Sequence, residues 1–176
     1  MITTAPAWRL ALIVGGAKSG KSRFAQQLAE GLPPPRLYVA TGEAKDAEMQ
    51  VRIRRHQQDR GPTWQTREEP LALGQTLRQA DGRFGVMLVD CLTLWLSNLL
   101  ARGDQELASQ RQELLTVLPA LTTPVILVSN EVGWGIVPAN PLARRFRDAA
   151  GLLHQELAQQ ADLAVLVVCG LPVYLK

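Results

Sequence analysis

Short apolar runs recur at wide intervals: Leu10–Val14, Arg36–Ala40, Val86–Val89, Val125–Val128 and Leu163–Val168. They are rich in Leu and β-branched residues and nearly free of polar interruptions. Parallel strands covered by helices on both faces have that composition. Between the runs, Ser22–Glu30, Ala47–Gln58, Leu92–Leu100, Glu106–Leu118 and Leu142–Gln160 carry helical spacing. Pro33-Pro34-Pro35 stops the first of these and Gly61-Pro62 the second. The alternation predicts an α/β protein built on a doubly wound, mostly parallel sheet with right-handed crossovers. One domain is expected over residues 10–176, preceded by a flexible Met1–Arg9.

Ligands of such sheets gather at the carboxyl ends of the strands. The residues to inspect are therefore Gly15–Ser22, Thr41-Gly42-Glu43, Asp90, Ser129-Asn130-Glu131 and Cys169-Gly170. Gly15-Gly16-Ala17-Lys18-Ser19-Gly20-Lys21-Ser22 satisfies G-x-x-x-x-G-K-[ST], with an apolar strand before it and a helical pattern after it. That context specifies a P-loop of RecA-like NTPase type. Its glycines let backbone N–H groups turn around phosphates at a helix N-terminus. Lys21 would then charge the β- and γ-phosphates, and Ser22 would offer a hydroxyl to Mg²⁺. Asp90, at the end of Val86–Val89, suits the second metal position, although a helix-capping Asp is the plain alternative.

Arg52, His56 and Arg60 recur at four-residue spacing and share one helix face, beside an apolar stripe of Met49 and Ile53. An imidazole between guanidiniums is expected to stay neutral, able to attack phosphorus with cations to balance the transition-state oxygens. A surface histidine on a charged helix is the ordinary reading of the same pattern. His154, between Leu153 and Gln155, reads as structural.

Length and composition limit the classes without choosing among them. At 176 residues, 47% hydrophobic and 20% charged, the chain has the size of about one soluble domain. A net charge of +3 suits anionic ligands, and no basic recognition helix or aromatic-rich strand calls for nucleic acid. No run approaches the ~18 apolar residues of a membrane helix, and no signal-peptide pattern opens the chain. The expectation is a cytoplasmic protein without membrane insertion. Cys91 and Cys169 lack metal-ligand spacing and are expected to be buried thiols.

Several further segments accompany the loop: Arg52-Ile53-x-x-His56, Trp64-x-Thr66-x-Glu68, Asp90-Cys91-Leu92-Thr93-Leu94-Trp95-Leu96, Ser129-Asn130-Glu131-Val132-Gly133-x-Gly135, Leu142-Ala143-Arg144-x-Phe146-Arg147-Asp148 and Gly170-Leu171-Pro172. Together, from about Leu10 to Lys176, they resemble the bifunctional adenosylcobinamide kinase / adenosylcobinamide-phosphate guanylyltransferase family. The resemblance implies two reactions. A nucleoside triphosphate, ATP or GTP, phosphorylates the aminopropanol hydroxyl of adenosylcobinamide. A histidine then accepts GMP from GTP and passes it to the phosphorylated corrinoid. By motif, His56 is that histidine, with Lys21 as its catalytic companion. The nucleotide positions are Gly15, Gly16, Ala17, Lys18, Ser19, Gly20, Lys21, Ser22, Thr41, Gly42, Glu43, Gln57, Gln58, Asp59, Arg60, Glu68 and Asp90. Mg²⁺ falls to Ser22 and Asp90, and the family implies a homo-oligomer, a trimer. Glu68 would either accept the guanine N1–H and amino group or be an ordinary surface acid beside Glu69. Glu131 would be either the base for the corrinoid hydroxyl or part of a strand-end turn. Trp134 would stack on a ligand or meet a neighbouring subunit. Two departures stand out: Lys18 where the family usually has Arg, and His154 where Asn is common. A simple metabolite kinase and a non-catalytic RecA-like ATP-binding module are the competing readings.

Overall fold

The computed structural model describes residues 6–42 and 61–176. Seven strands form one sheet: β1 (Leu10–Gly15), β2 (Arg36–Ala40), β3 (Trp64–Glu68), β4 (Val86–Asp90), β5 (Val125–Asn130), β6 (Leu163–Val168) and β7 (Leu171–Tyr174). Their order is β3-β2-β4-β5-β1-β6-β7, with β7 alone antiparallel. Five helices surround them: α1 (Lys21–Glu30), α2 (Leu73–Ala80), α3 (Leu92–Arg102), α4 (Asp104–Val117) and α5 (Pro141–Gln160). The expected helix over Ala47–Gln58 lies outside the described residues.

Both faces of the sheet are dry, which explains the uninterrupted apolar runs. On one face Leu12, Val39, Met87, Val89 and Leu127 pack with α2, α3, α4 and α5 around Trp95, which is 0% exposed. On the other, Ile13, Tyr38, Leu88, Ile126 and Val165 pack against Ala25 and Ala29 of α1. Alanine at those two positions lets α1 approach the strands closely. The chain entering β1 is anchored as well. The Arg9 and Leu10 amides donate to Asp162 Oδ2 at 2.8 and 3.0 Å, and Trp8 packs on the α1-side core.

Two strands and one helix go beyond the apolar-run reading. β3, Trp-Gln-Thr-Arg-Glu, has only Trp64 buried, because it is an edge strand whose polar side chains face water. β7, Leu-Pro-Val-Tyr, is the opposite edge, where Pro172 costs no necessary ladder bond. α2 spans only eight residues and buries Leu73, Leu77 and Ala80. Cys169 is also not the buried thiol expected. It occupies the β6–β7 turn at φ 52° and is exposed, whereas Cys91 is buried.

One buried polar group ties the α1 face together. Arg36, 9% exposed, donates Nε to the Ala29 and Leu32 carbonyls at 3.0 and 3.1 Å. Its terminal nitrogens reach the Glu30 and Leu32 carbonyls and Thr63 Oγ1. A cation thereby closes the C-terminus of α1, where the helix dipole is negative, and joins it to the start of β3. Arg36→Met keeps the stem but strands those carbonyls. It should lower unfolding free energy by about 2–4 kcal/mol in urea titration, and a loss under about 0.5 kcal/mol would contradict this capping role.

Candidate functional site

The site starts where β1 stops. Gly15 ends the strand, and a Cβ there would lie 2.5 Å from both Ser19 Oγ and the Val167 carbonyl oxygen. Only glycine permits that approach. The turn then passes through left-handed backbone at Lys18 (φ 55°) and Gly20 (φ 96°) before α1 begins at Lys21. Gly20 is further confined, since a Cβ would sit 3.1 Å from Gly170 Cα. The Gly170 amide donates to the Ser19 carbonyl at 2.8 Å, so the β6–β7 turn braces the loop from the side.

Within this loop Gly16, Ala17 and Lys18 are exposed, Ser19, Gly20 and Ser22 are half-buried, and Lys21 is only 7% exposed. Lys21 Nζ donates to the Gly16 carbonyl at 3.1 Å and pairs with no carboxylate among the described residues. An ammonium withdrawn from water, with one neutral acceptor, at a helix N-terminus, is built to receive an anion. Ser19 Oγ is likewise buried, with no hydrogen-bond partner among the described residues.

Asp90 stands at the end of β4, in register with Val128 of β5 and Ala40 of β2. With two strand spacings between β4 and β1, it lies about 10 Å across the sheet from the loop strand. Its Oδ2 accepts from the Tyr38 hydroxyl at 3.2 Å. A half-buried carboxylate and the Ser22 hydroxyl, both on the carboxyl side of the sheet, are oxygen ligands of the kind Mg²⁺ prefers.

Thr41 has another task. Fully buried, it donates Oγ1 to the Cys91 carbonyl at 2.7 Å and accepts the Cys91 amide at 2.9 Å. Asn98, a buried polar residue of α3, donates to the Thr41 and Pro70 carbonyls at 2.8 and 3.2 Å. Thr41 therefore fixes the end of β2 to the segment that carries Asp90, and Gly42 follows it, half-buried. Cys91 is held in the same knot. Burial, then the Asp90 charge, push its thiol up. Glu68 is exposed at the end of the edge strand β3, four strand spacings or about 19 Å from β1. The structure thus groups Gly15–Ser22 with Asp90, and sets Glu68 apart. His56, Glu43, Gln57, Gln58, Asp59 and Arg60 lie outside the described residues.

Two polar contacts at the end of β5 have no counterpart in the motif reading. Asn130 donates Nδ2 to Thr93 Oγ1 at 2.8 Å. His154, from α5, contacts Ser129 Oγ at 2.7 Å and brings Nδ1 to 3.9 Å from Glu131 Oε2. Burial pushes the His154 pKa down, with the Glu131 carboxylate opposing, so the ring is neutral at physiological pH. The sequence signal for this pair was faint: one serine inside a core strand and one histidine within a long helix.

Comparison with known proteins decides the family. Residues 11–175 match the family described as cobinamide kinase / cobinamide phosphate guanyltransferase. The chain belongs to that family. With it come the kinase and guanylyltransferase activities that define these enzymes. The bifunctional adenosylcobalamin biosynthesis protein CobP of Pseudomonas aeruginosa is 49% identical over 94% of this chain and 96% of its own length. The CobU proteins of Salmonella typhimurium and Escherichia coli are 40% and 38% identical, each over 94% of this chain and 98% of their own length. Solved structures confirm the P-loop NTPase fold at low identity. A type III secretion ATPase of pathogenic bacteria gives a TM-score of 0.54 at 14% identity, covering 94% of this chain and 56% of its own. A Pyrococcus horikoshii protein gives 0.53 at 8% identity, covering 96% and 86%.

Lys21→Met separates binding from folding. Nucleotide affinity should fall at least about 100-fold by calorimetric titration, since a full charge on the phosphates is lost. Stability without nucleotide should be unchanged or rise by up to about 1 kcal/mol, because no described carboxylate is orphaned and the Gly16 carbonyl keeps the Ser19 amide at 3.2 Å. A clear loss of stability in the nucleotide-free protein would show that Lys21 serves packing instead.

Proposed function

We propose that this enzyme phosphorylates adenosylcobinamide and then transfers GMP from GTP, through a covalent histidine intermediate on His56, to give adenosylcobinamide-GDP. The observation that carries the nucleotide half is the buried Lys21 ammonium, which donates to the Gly16 carbonyl and pairs with no described carboxylate. The family match over residues 11–175 supports the corrinoid half.

In the kinase step, the loop amides and Lys21 bind and charge-balance the β- and γ-phosphates of ATP or GTP. Ser22 and Asp90 are the residues that would hold Mg²⁺, which when bound would neutralise triphosphate oxygens. In the guanylyl step, the neutral His56 ring forms a bond to the α-phosphorus and pyrophosphate leaves. The resulting phosphoramidate, once protonated, is a good leaving group, so the phosphate of the corrinoid can displace it. Arg52 and Arg60, four residues to either side in sequence, support the histidine. Glu68 is proposed as the acceptor for the guanine N1–H and amino group, a carboxylate on the same carboxyl edge of the sheet. The large corrinoid substrate favours a pocket completed by a second subunit. Exposed Trp134, Ile136 and Val137, in the loop after β5, are consistent with such a surface.

The decisive experiment uses GTP labelled at the α-phosphate. The protein should acquire acid-labile, base-stable label, and His56→Ala should acquire none. Guanylyl transfer through two displacements should proceed with net retention at phosphorus. Inversion, or a labelled His56→Ala protein, would remove the covalent step and leave a simple kinase.

A further inference from the structure

The end of β5 carries an arrangement that neither phosphate binding nor packing requires. β5 lies between β1 and β4, hence between the phosphate loop and Asp90. Its last residue pairs with Gly15, and the Glu131 amide donates to the Gly15 carbonyl at 3.0 Å. The Glu131 backbone is therefore fastened to the first residue of the loop. Its side chain is 24% exposed, and its two oxygens differ. Oε1 accepts the Gly133 amide at 2.6 Å, which fixes the carboxylate over the glycine turn. Oε2 has one described neighbour, His154 Nδ1, at 3.9 Å, too far for a direct hydrogen bond.

His154 is itself held. Its Nε2 is 2.7 Å from Ser129 Oγ, and Ser129 is 0% exposed within an otherwise apolar run. Burying a hydroxyl against an imidazole does nothing for core packing that alanine against leucine would not do better. When the serine hydroxyl donates to Nε2, the ring proton sits on Nδ1 and faces the carboxylate. At 3.9 Å a ring kept neutral by burial presents its N–H dipole to Oε2 without drawing away the carboxylate's basicity, as an imidazolium would.

We infer that Glu131 is a further catalytic residue of the phosphoryl-transfer step, its carboxylate taking the proton of the acceptor alcohol, with Ser129 and His154 as positioning residues that aim it. The inference rests on the kinase half of the reading above. The alcohol oxygen bonds to the γ-phosphorus, and the bond from that phosphorus to the β–γ bridging oxygen breaks. The departing nucleoside diphosphate keeps the electron pair, and the hydroxyl proton passes to Glu131 Oε2. The other described polar groups at these strand ends are unsuited. The Asn130 amide has no carboxylate and is tied to Thr93, and Asp90 holds the Tyr38 hydroxyl on the proposed metal side.

The test uses steady-state phosphorylation of adenosylcobinamide with ATP and Mg²⁺, products separated by mass. Glu131→Gln preserves the Gly133 contact but cannot take a proton. Its kcat should fall about 100-fold or more, with KM for ATP within about threefold of the parent. His154→Phe keeps the ring volume and should lower kcat about tenfold through misaiming. The double variant should be no slower than Glu131→Gln alone, because both act through one carboxylate. A kcat for Glu131→Gln within about threefold of the parent, a defect confined to KM, or additive losses in the double variant would each overturn the assignment. If Glu131→Gln does not fold by thermal melting, Glu131→Asp decides, with lowered kcat at preserved KM supporting the role and unchanged kcat refuting it. A parent protein that fails to phosphorylate the corrinoid sinks the functional reading itself, and this inference with it. A competent parent with an equally competent Glu131→Gln sinks Glu131 alone.

Discussion

A lysine ammonium held out of water at the start of α1 sets the terms for the rest of the molecule. It can stay there only because the backbone around it is turned inward, and that turn demands two glycines for separate reasons. Gly15 is excluded from carrying a side chain by Val167 and Ser19, and Gly20 by a left-handed backbone pressed against Gly170. The loop is thus shaped from outside, by β6 and the turn that follows it, as much as by its own residues. The dry sheet underneath supplies the rigidity such a strained turn needs.

Polar residues elsewhere follow a similar logic of fastening carboxyl strand ends to one another. Thr41 and Asn98 join the end of β2 to Cys91 and Pro70, Asn130 joins β5 to α3 through Thr93, and the Glu131 amide joins β5 to β1. These bonds are buried or nearly so, where each is worth more than at the surface and costlier to break. They keep Asp90 and the loop in fixed relation across the intervening strand.

The sequence announces what repeats in a recognisable period and conceals what does not. The runs ending at Val14, Ala40, Val89, Val128 and Val168 lie within β1, β2, β4, β5 and β6, because strands buried on both faces have no room for polar residues. β3 escaped notice because that edge strand answers mostly to water, Gln65, Thr66, Arg67 and Glu68 showing no apolar face, and β7 because it is four residues long and interrupted by Pro172. At the site, the G-x-x-x-x-G-K-[ST] spacing located the loop and the charge, since backbone geometry dictates residue type there. Thr41 was legible as a strand-end position, but its commitment to the Cys91 backbone was not, because residues 50 apart meet only once the sheet is built. The contact between His154 and Ser129, 25 positions apart, was hidden for the same reason.

The hydrogen bond from the Gly170 amide to the Ser19 carbonyl makes the last hairpin a structural partner of the nucleotide cradle. β7 is the one antiparallel strand among the described residues, lies on the rim of the sheet, and shows water Leu171, Val173 and Tyr174. Whatever settles on that rim, whether another molecule or a neighbouring copy, presses on the same two-residue bend that props up the phosphate-binding turn. The far margin of the sheet is in this sense one backbone hydrogen bond away from the phosphate loop.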